Sequence, residues 1–366
     1  MTDREERIKK ALPFSIMKNQ STKQMLVLGA GTWGCTLAAL LSEKGYPVTL
    51  WDSDRGIRES LRTARIPAKL PDVLLPSLIQ ITEDLAPALK DSRHVVIVVP
   101  SHAIRPVCEE LKQIIPDMKS KCIVLFSKGI EQKTLLPPSG VVADVLGPDI
   151  RNTYCYLSGP SHAEEVARKM PTSIVASAFN PEIAREAQEI FHTDYFRIYT
   201  QEDVLGVELG AAVKNVIAIA AGVCDGLGFG DNTKAALLTR GLAEIIRLGV
   251  IMGARQETFS GLAGIGDLIV TSISRHSRNR NFGELLARGY TVEEAMKQIG
   301  MVVEGVKTAD SVRALAQKYR ITMPISQEVY SLIYEGKSPR EALKDLMGRS
   351  LKSEIYGYNH SQENPA

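Results

Sequence analysis

The segment Gly29-Ala30-Gly31-Thr32-Trp33-Gly34 follows the apolar run Met25–Leu28 and leads into a helical stretch, and few six-residue patterns restrict a fold so tightly. Each glycine in a strand-to-helix turn of this spacing has its own task. Gly29 permits the tight turn, Gly31 lets backbone approach a pyrophosphate, and Gly34 lets helix and strand pack closely. The helix start then offers unpaired N–H groups and the positive end of its dipole to phosphate. A second strand ends at Trp51-Asp52, where an acidic group can take a ribose 2′-hydroxyl. The pattern predicts a dinucleotide-binding α/β domain. Asp52 and Asp54 would repel a 2′-phosphate and favour NAD(H). Arg55 can turn toward one and favour NADP(H), so the preferred cofactor stays open.

The rest of the chain divides once. From Lys23 to about residue 201, short β-rich runs alternate with helical stretches: 25–29, 47–51, 94–100, 122–126, 153–157, 173–177 and 195–199. Continuous Val/Ile-rich runs suit strands buried on both faces, and the alternation predicts βαβ units in a parallel sheet. After Asp203 the β-rich runs stop. Helical segments are expected at 204–223, 233–253, 282–288, 292–299, 306–318, 325–335 and 339–347, with start signals at Thr291/Glu294 and Ser338-Pro339. The expected organisation is a polar extension over 1–22, a dinucleotide-binding domain over 23–203, a helical domain over 204–357 and a disordered tail over 358–366.

Composition excludes other classes. The 366 residues carry 44 Lys+Arg against 42 Asp+Glu, a net charge of +2, so no bulk basicity argues for nucleic acid or an anionic membrane. The best membrane-span candidate, Val204 to Cys224, is interrupted by Glu208, Lys214 and Asn215 and is rejected as a span. Five dispersed cysteines without a C-x-x-C pair read as reduced core thiols of a cytoplasmic protein, and no signal peptide is seen. His162, His192 and His276 lack metal-ligand spacing, so no metal is expected.

Three places carry candidate chemistry. Lys128 follows a strand, at the carboxyl end where open α/β sheets bind ligands. Lys214 shares a helix face with Val207, Gly210, Ala211, Ile217 and Ala218. A lysine on such a face needs water or a partner for its ammonium. Burial and a nearby carboxylate would shift its pKa in opposite directions, a balance suited to protonating an alkoxide. Gly261-Leu-Ala-Gly264-Ile-Gly266-Asp267 reads as a close-packed turn that aims a carboxylate. Ser277-Arg278-Asn279 reads as an anion site, a guanidinium fork with neutral donors. The alternatives are a solvated basic face over Arg275, Arg278 and Arg280 and a snorkelling lysine at position 214.

These blocks resemble the bacterial-type NAD(P)-dependent glycerol-3-phosphate dehydrogenases over roughly residues 24–352. The matching segments include 29–34, 70–72, 98–102, 127–131, 157–167, 210–222, 239–245, 261–271, 277–283 and 302–309. The resemblance implies a Rossmann domain followed by an all-helical domain like that of 6-phosphogluconate dehydrogenase. It implies reversible reduction of dihydroxyacetone phosphate to sn-glycerol 3-phosphate, toward the glycerophospholipid backbone, and a homodimer. It places Lys214 on the proton donor, with Lys128 touching both cofactor and substrate. Asn215, Asp267 and Thr271 fall on polar neighbours, and Gly159, Ser161 and Ala163 on a loop shared by substrate and nicotinamide. Ser277, Arg278 and Asn279 fall on the phosphate segment, with Arg278 also near the cofactor. Thr32, Trp33, Val302 and Glu304 fall on cofactor contacts, beside the Asp52-Ser53-Asp54-Arg55 run. The competing readings are a non-catalytic dinucleotide-sensing module and a related hydroxy-acid dehydrogenase.

Overall fold

The computed structural model describes residues 24–354; the extension expected over 1–22 and the tail expected over 358–366 lie outside them. Eight strands form one sheet: β1 (Met25–Leu28), β2 (Val48–Trp51), β3 (Gln80–Ile81), β4 (His94–Ile97), β5 (Cys122–Leu125), β6 (Tyr154–Ser158), β7 (Thr172–Ala178) and β8 (Phe196–Gln201). Their spatial order is β3-β2-β1-β4-β5-β6-β7-β8. The first six are parallel in the Rossmann order, which reverses between β1 and β4 and opens a crevice at the carboxyl ends of the strands.

One expectation is corrected here. β7 runs antiparallel to β6, and β8 parallel to β7, so the sheet is mixed. A parallel return needs a crossover long enough to carry the chain back along the strand, usually a helix. The only helix between β6 and β7 spans Ala163–Ala167 and is too short for that. The strand β3 was also not expected, since two residues leave no periodicity to read.

The helices on this domain are α1 (Thr32–Glu43), α2 (Arg55–Ala64), α3 (Leu85–Asp91), α4 (Ile104–Ile114), α5 (Pro138–Leu146), α6 (Ala163–Ala167) and α7 (Pro181–Phe191). On one face of the sheet Leu37, Ala38 and Leu41 of α1 and Ala187, Ile190 and Phe191 of α7 pack together. On the other face lie Leu89 of α3, Leu111 of α4 and Val142 of α5. At the amino edge of the strands His94, Cys122 and Glu186 bring ligand-type atoms within 4.8 Å of one another. Glu186 ties the group together: its Oε1 lies within hydrogen-bond distance of His94 Nε2 at 3.1 Å, and its Oε2 pairs with Arg93 at 3.3 Å.

The helical part comprises α8 (Val204–Gly226), α9 (Asp231–Ile251), α10 (Asp267–Ile273), α11 (Arg278–Ala287), α12 (Val292–Ile299), α13 (Glu304–Lys318), α14 (Pro324–Tyr334) and α15 (Pro339–Met347). Capping boxes at Thr291/Glu294 and Ser338/Glu341 start α12 and α15 as their sequences suggest. Helix α10 was not expected, because the glycines before it read as a turn; a single π-helical turn, Leu262–Gly266, leads into it. Helix α8 is the only described helix long and apolar enough to cross a membrane, yet 94% of its apolar window is buried inside the protein. Val204, Val207 and Ala211 belong to the core beneath the sheet, and Val213, Val216 and Ile217 to the core of the helical part. One helix therefore passes through both cores and carries whatever stands between them.

Candidate active site

The glycine loop leaves β1 with Gly29 at φ +103. A Cβ on Gly34 would stand 1.8 Å from the Gly29 carbonyl oxygen, so α1 starts against the turn only because that residue is glycine. A Cβ on Gly31 would meet nothing within 4 Å. Helix α1 begins with no side-chain cap and no acid in its first turn, leaving its N–H groups for an anion. Thr32 is half-buried, and Trp33 packs edge-on against Phe126 and Phe196 at 5.8 and 6.2 Å between centroids.

Asp52 stands at the end of β2. Its Oδ2 accepts the Ala30 amide at 2.6 Å and its Oδ1 the Asp54 amide at 2.9 Å. Its first task is thus to tie the glycine loop to β2, and only its remaining lone pairs face outward. Ser53 is exposed, Asp54 caps α2, and exposed Arg55 pairs with Glu59 at 2.6 Å.

The two domains meet over a buried ion triad. Asp267, the first residue of α10, accepts from Lys214 Nζ through Oδ1 at 2.5 Å and from Lys128 Nζ through Oδ2 at 2.7 Å. Lys214 also donates to Thr271 Oγ1 at 2.5 Å, one turn further along α10. Lys128 donates to the Gly159 carbonyl at 3.2 Å, and fully buried Tyr156 fixes the preceding residue by donating to the Ser127 carbonyl at 3.0 Å. Three elements thus converge: the end of β5, the middle of α8 and the start of α10.

Electrostatics in the triad are unequal. Burial is the largest influence on Lys214; it and the Lys128 charge outweigh Asp267 and bring the ammonium down to about 7. Burial opposes ionisation of Asp267, but the two ammonium groups more than offset it and hold its carboxyl below the ordinary value. The result is a stable carboxylate beside a lysine that gives up its proton near neutrality.

The remaining expected residues divide into those at the cleft and those already engaged. Gly159 has φ +152 and packs against Ile174, Ser161 Oγ donates to the Gly159 carbonyl at 3.0 Å, and Ala163 opens α6. Ser277 caps α11 by accepting the Arg280 amide at 3.2 Å. Asn279 donates to Asn215 Oδ1 at 3.0 Å and accepts the Gly305 amide at 2.9 Å. Both position helices, and the Ser277 hydroxyl proton and the second Asn279 Nδ2–H remain to donate. Arg278 is exposed and commits one nitrogen to the Val302 carbonyl at 2.8 Å, leaving most of its fork open. Glu304 accepts from the Ser101 amide at 3.0 Å and hydroxyl at 2.6 Å, tying the start of α13 to the loop after β4.

Sequence reasoning assigned no role to Ser101, Ser158 or Glu208. Ser101 lies in a matched block, but its partner is 203 residues away. Ser158 Oγ stands 3.4 Å from Asp267 Oδ2. Glu208 had a signal, a carboxylate inside an apolar helix. It accepts from the Ser139 amide, Ser139 Oγ and Tyr154 hydroxyl, each at 2.7 Å, and burial raises it to about 7.

Comparisons with known proteins agree with this architecture. Residues 24–184 match the family model for the NAD-dependent glycerol-3-phosphate dehydrogenase N-terminus, and residues 203–344 match that for its C-terminus. The glycerol-3-phosphate dehydrogenase [NAD(P)+] of Thermoanaerobacter sp. is 50% identical over 331 residues, covering 90% of this chain and 98% of that one. That of Carboxydothermus hydrogenoformans is 48% identical over 334 residues, covering 91% and 98%. The crystal structure of glycerol-3-phosphate dehydrogenase from Coxiella burnetii superposes with a TM-score of 0.85 at 37% identity, covering 90% of this chain and 99% of that one. With a crevice for a dinucleotide, a lysine–aspartate–lysine triad and this likeness along nearly its whole length, the chain belongs to the family of NAD-dependent glycerol-3-phosphate dehydrogenases.

Proposed function

We infer that the chain catalyses the reversible NAD(P)H-dependent reduction of dihydroxyacetone phosphate to sn-glycerol 3-phosphate, and that the Lys214–Asp267–Lys128 triad is its proton-handling centre. The observation that carries the reading is a buried lysine, Lys214, held by the Asp267 carboxylate that also holds Lys128, at the cleft between the two domains. A dinucleotide fits the first domain: Gly31 leaves open space, α1 presents uncapped N–H groups, and Asp52 closes the ribose end.

The nicotinamide, when bound, supplies hydride to C2 of the ketone. The protein's part is to handle the proton and hold the substrate. Lys214 Nζ gives its proton to the oxygen at C2 as charge builds there and takes it back in the reverse direction. Asp267 keeps that ammonium aimed and counters its burial. Lys128, bridging Asp267 and the Gly159 carbonyl, lends positive charge to the same oxygen. Arg278 and the start of α11 hold the phosphate, so binding energy far from C2 is used for alignment. The family likeness further suggests a cytoplasmic homodimer, which light scattering on the purified protein and fractionation of cells would test.

The direct experiment follows the nicotinamide absorbance with dihydroxyacetone phosphate, running NADH and NADPH in parallel. Oxidation is expected, with NADH favoured because the acidic Asp52–Asp54 run repels a 2′-phosphate. Lys214→Ala is expected to lower kcat by a factor of about 100 or more, in the range of a lost general acid, while cofactor affinity holds. Turnover by the variant at the wild-type rate would remove Lys214 from the chemistry. Silence of the wild type with both cofactors would overturn the reaction.

A further inference from the structure

His162 stands on the short connection from β6, immediately before α6. Its carbonyl accepts the Glu165 and Val166 amides, each at 3.1 Å, so the first turn of α6 fixes its backbone. Its ring lies 6.0 Å from that of His276, centroid to centroid, at 53°. His276 directly precedes Ser277-Arg278-Asn279. The imidazole therefore joins two segments that come from opposite domains.

The charges acting on His162 are those of Lys214, Lys128 and Asp267, together with Glu164 on its own helix. Burial first, and then the Lys214 ammonium, hold the imidazole below its ordinary pKa, so the ring is neutral at neutral pH. A neutral ring carries one donor and one acceptor nitrogen. Yet Nε2 is buried and has no hydrogen-bond partner among the described residues. Buried polar atoms in native proteins are almost always paired, and an orphan beside two lysines of a reaction centre points to a ligand atom.

The neighbourhood says which end of the ligand. Lys214 and Lys128 already serve the oxygen at C2. The phosphate segment begins at the residue after His276, whose ring lies 6.0 Å from that of His162, so the imidazole stands at that end of the ligand. We propose that His162 is a substrate-positioning residue whose Nε2 hydrogen-bonds a phosphate oxygen of the bound ketose phosphate. The proposal rests on the reaction inferred above, and it assigns a specificity role to a side chain on the β6–α6 connection.

Steady-state kinetics and calorimetry on the full chain test it. His162→Phe keeps a flat ring and removes the donor. It is expected to raise KM for dihydroxyacetone phosphate about tenfold, the usual weight of one hydrogen bond to a charged group, with kcat and the KM for nicotinamide cofactor within about twofold. His162→Gln sets an amide nitrogen close to the position of Nε2 and is expected to recover most of the loss. An unchanged KM in His162→Phe overturns the proposal. So does an equal loss in both variants accompanied by a lowered Tm, which is the mark of a packing role. Should His162→Phe not fold, His162→Asn, whose donor is too short, replaces it against His162→Gln. Calorimetric binding of inorganic phosphate keeps the two claims apart. Phosphate binding that weakens in His162→Phe supports His162 even if the wild type does not turn the ketose phosphate over, and phosphate binding equal in wild type and variant counts against His162 while leaving the reaction standing.

Discussion

A single lysine on an apolar helix face shows how far residue chemistry alone reaches. Lys214 was legible because an ammonium among Val207, Ala211, Ile217 and Ala218, all fully buried, demands a partner. What could not be read was the partner's identity, since Asp267 lies 53 residues away and only the fold brings it to 2.5 Å. The pair makes a prediction about pH. On the proposed mechanism reduction needs the protonated lysine, so kcat/KM for dihydroxyacetone phosphate should be level below about 7 and fall as pH rises through it, while the reverse oxidation rises over the same interval. Asp267 pulls the lysine upward against burial, so Asp267→Asn should move this break to lower pH. Parallel pH–rate profiles of wild type and variant check this, and an unmoved break would show that Asp267 does not set the lysine's charge. The same helix held an equally plain signal in Glu208, which in the sequence served only to argue against a membrane span. Asn279, read as a ligand donor, also joins α8 to α13, a task that nothing in the sequence showed.

Elements were legible where periodicity or caps were strong. The Val/Ile runs of β4 and β5 and the capping boxes of α12 and α15 announce themselves. Helix α11 starts at Arg278, earlier than expected, because Ser277 caps it; an Arg/Asn-rich first turn offers little apolar pattern. The junction of α5, β6 and α8 is secured by the buried Glu208 carboxyl. Glu208→Leu leaves the Ser139 amide and hydroxyl and the Tyr154 hydroxyl unpaired, and should lower stability by about 2–4 kcal/mol, read from the denaturant midpoint. A raised acid pKa also fixes the sign of a pH effect. The folded state keeps a proton that the unfolded state has released, so this contribution is whole below the ordinary carboxylate value, falls as pH rises toward about 7 and is gone above it. Glu244, raised by burial to about 7 while capping α14, acts in the same sense. Tm should therefore fall from about pH 5 to pH 7, and Glu208→Gln should flatten part of that slope.

At the scale of the whole molecule, fold class followed from the glycine loop and the change of pattern near residue 203, but strand direction did not, because a period of two is the same in either direction. The dispersed cysteines are all buried, and burial pushes the Cys35 and Cys108 thiols up to about 12. A thiol reagent should therefore react slowly with the native protein and titrate all five on unfolding; rapid reaction of the native state would mean that the cores are looser than described. The reversal between β6 and β7 has a consequence of its own. A parallel crossover would have carried the chain back to the amino ends of the strands. Turning back instead leaves residues 159–171 as a compact insert on the carboxyl edge, anchored at both ends by paired strands. Gly159, Ser161 and His162 all ride on it, while the glycine loop sits on a different strand connection. The molecule is in this sense modular: the insert, which carries Ala163 at the start of α6, can be exchanged as one unit while the glycine loop is left as it stands.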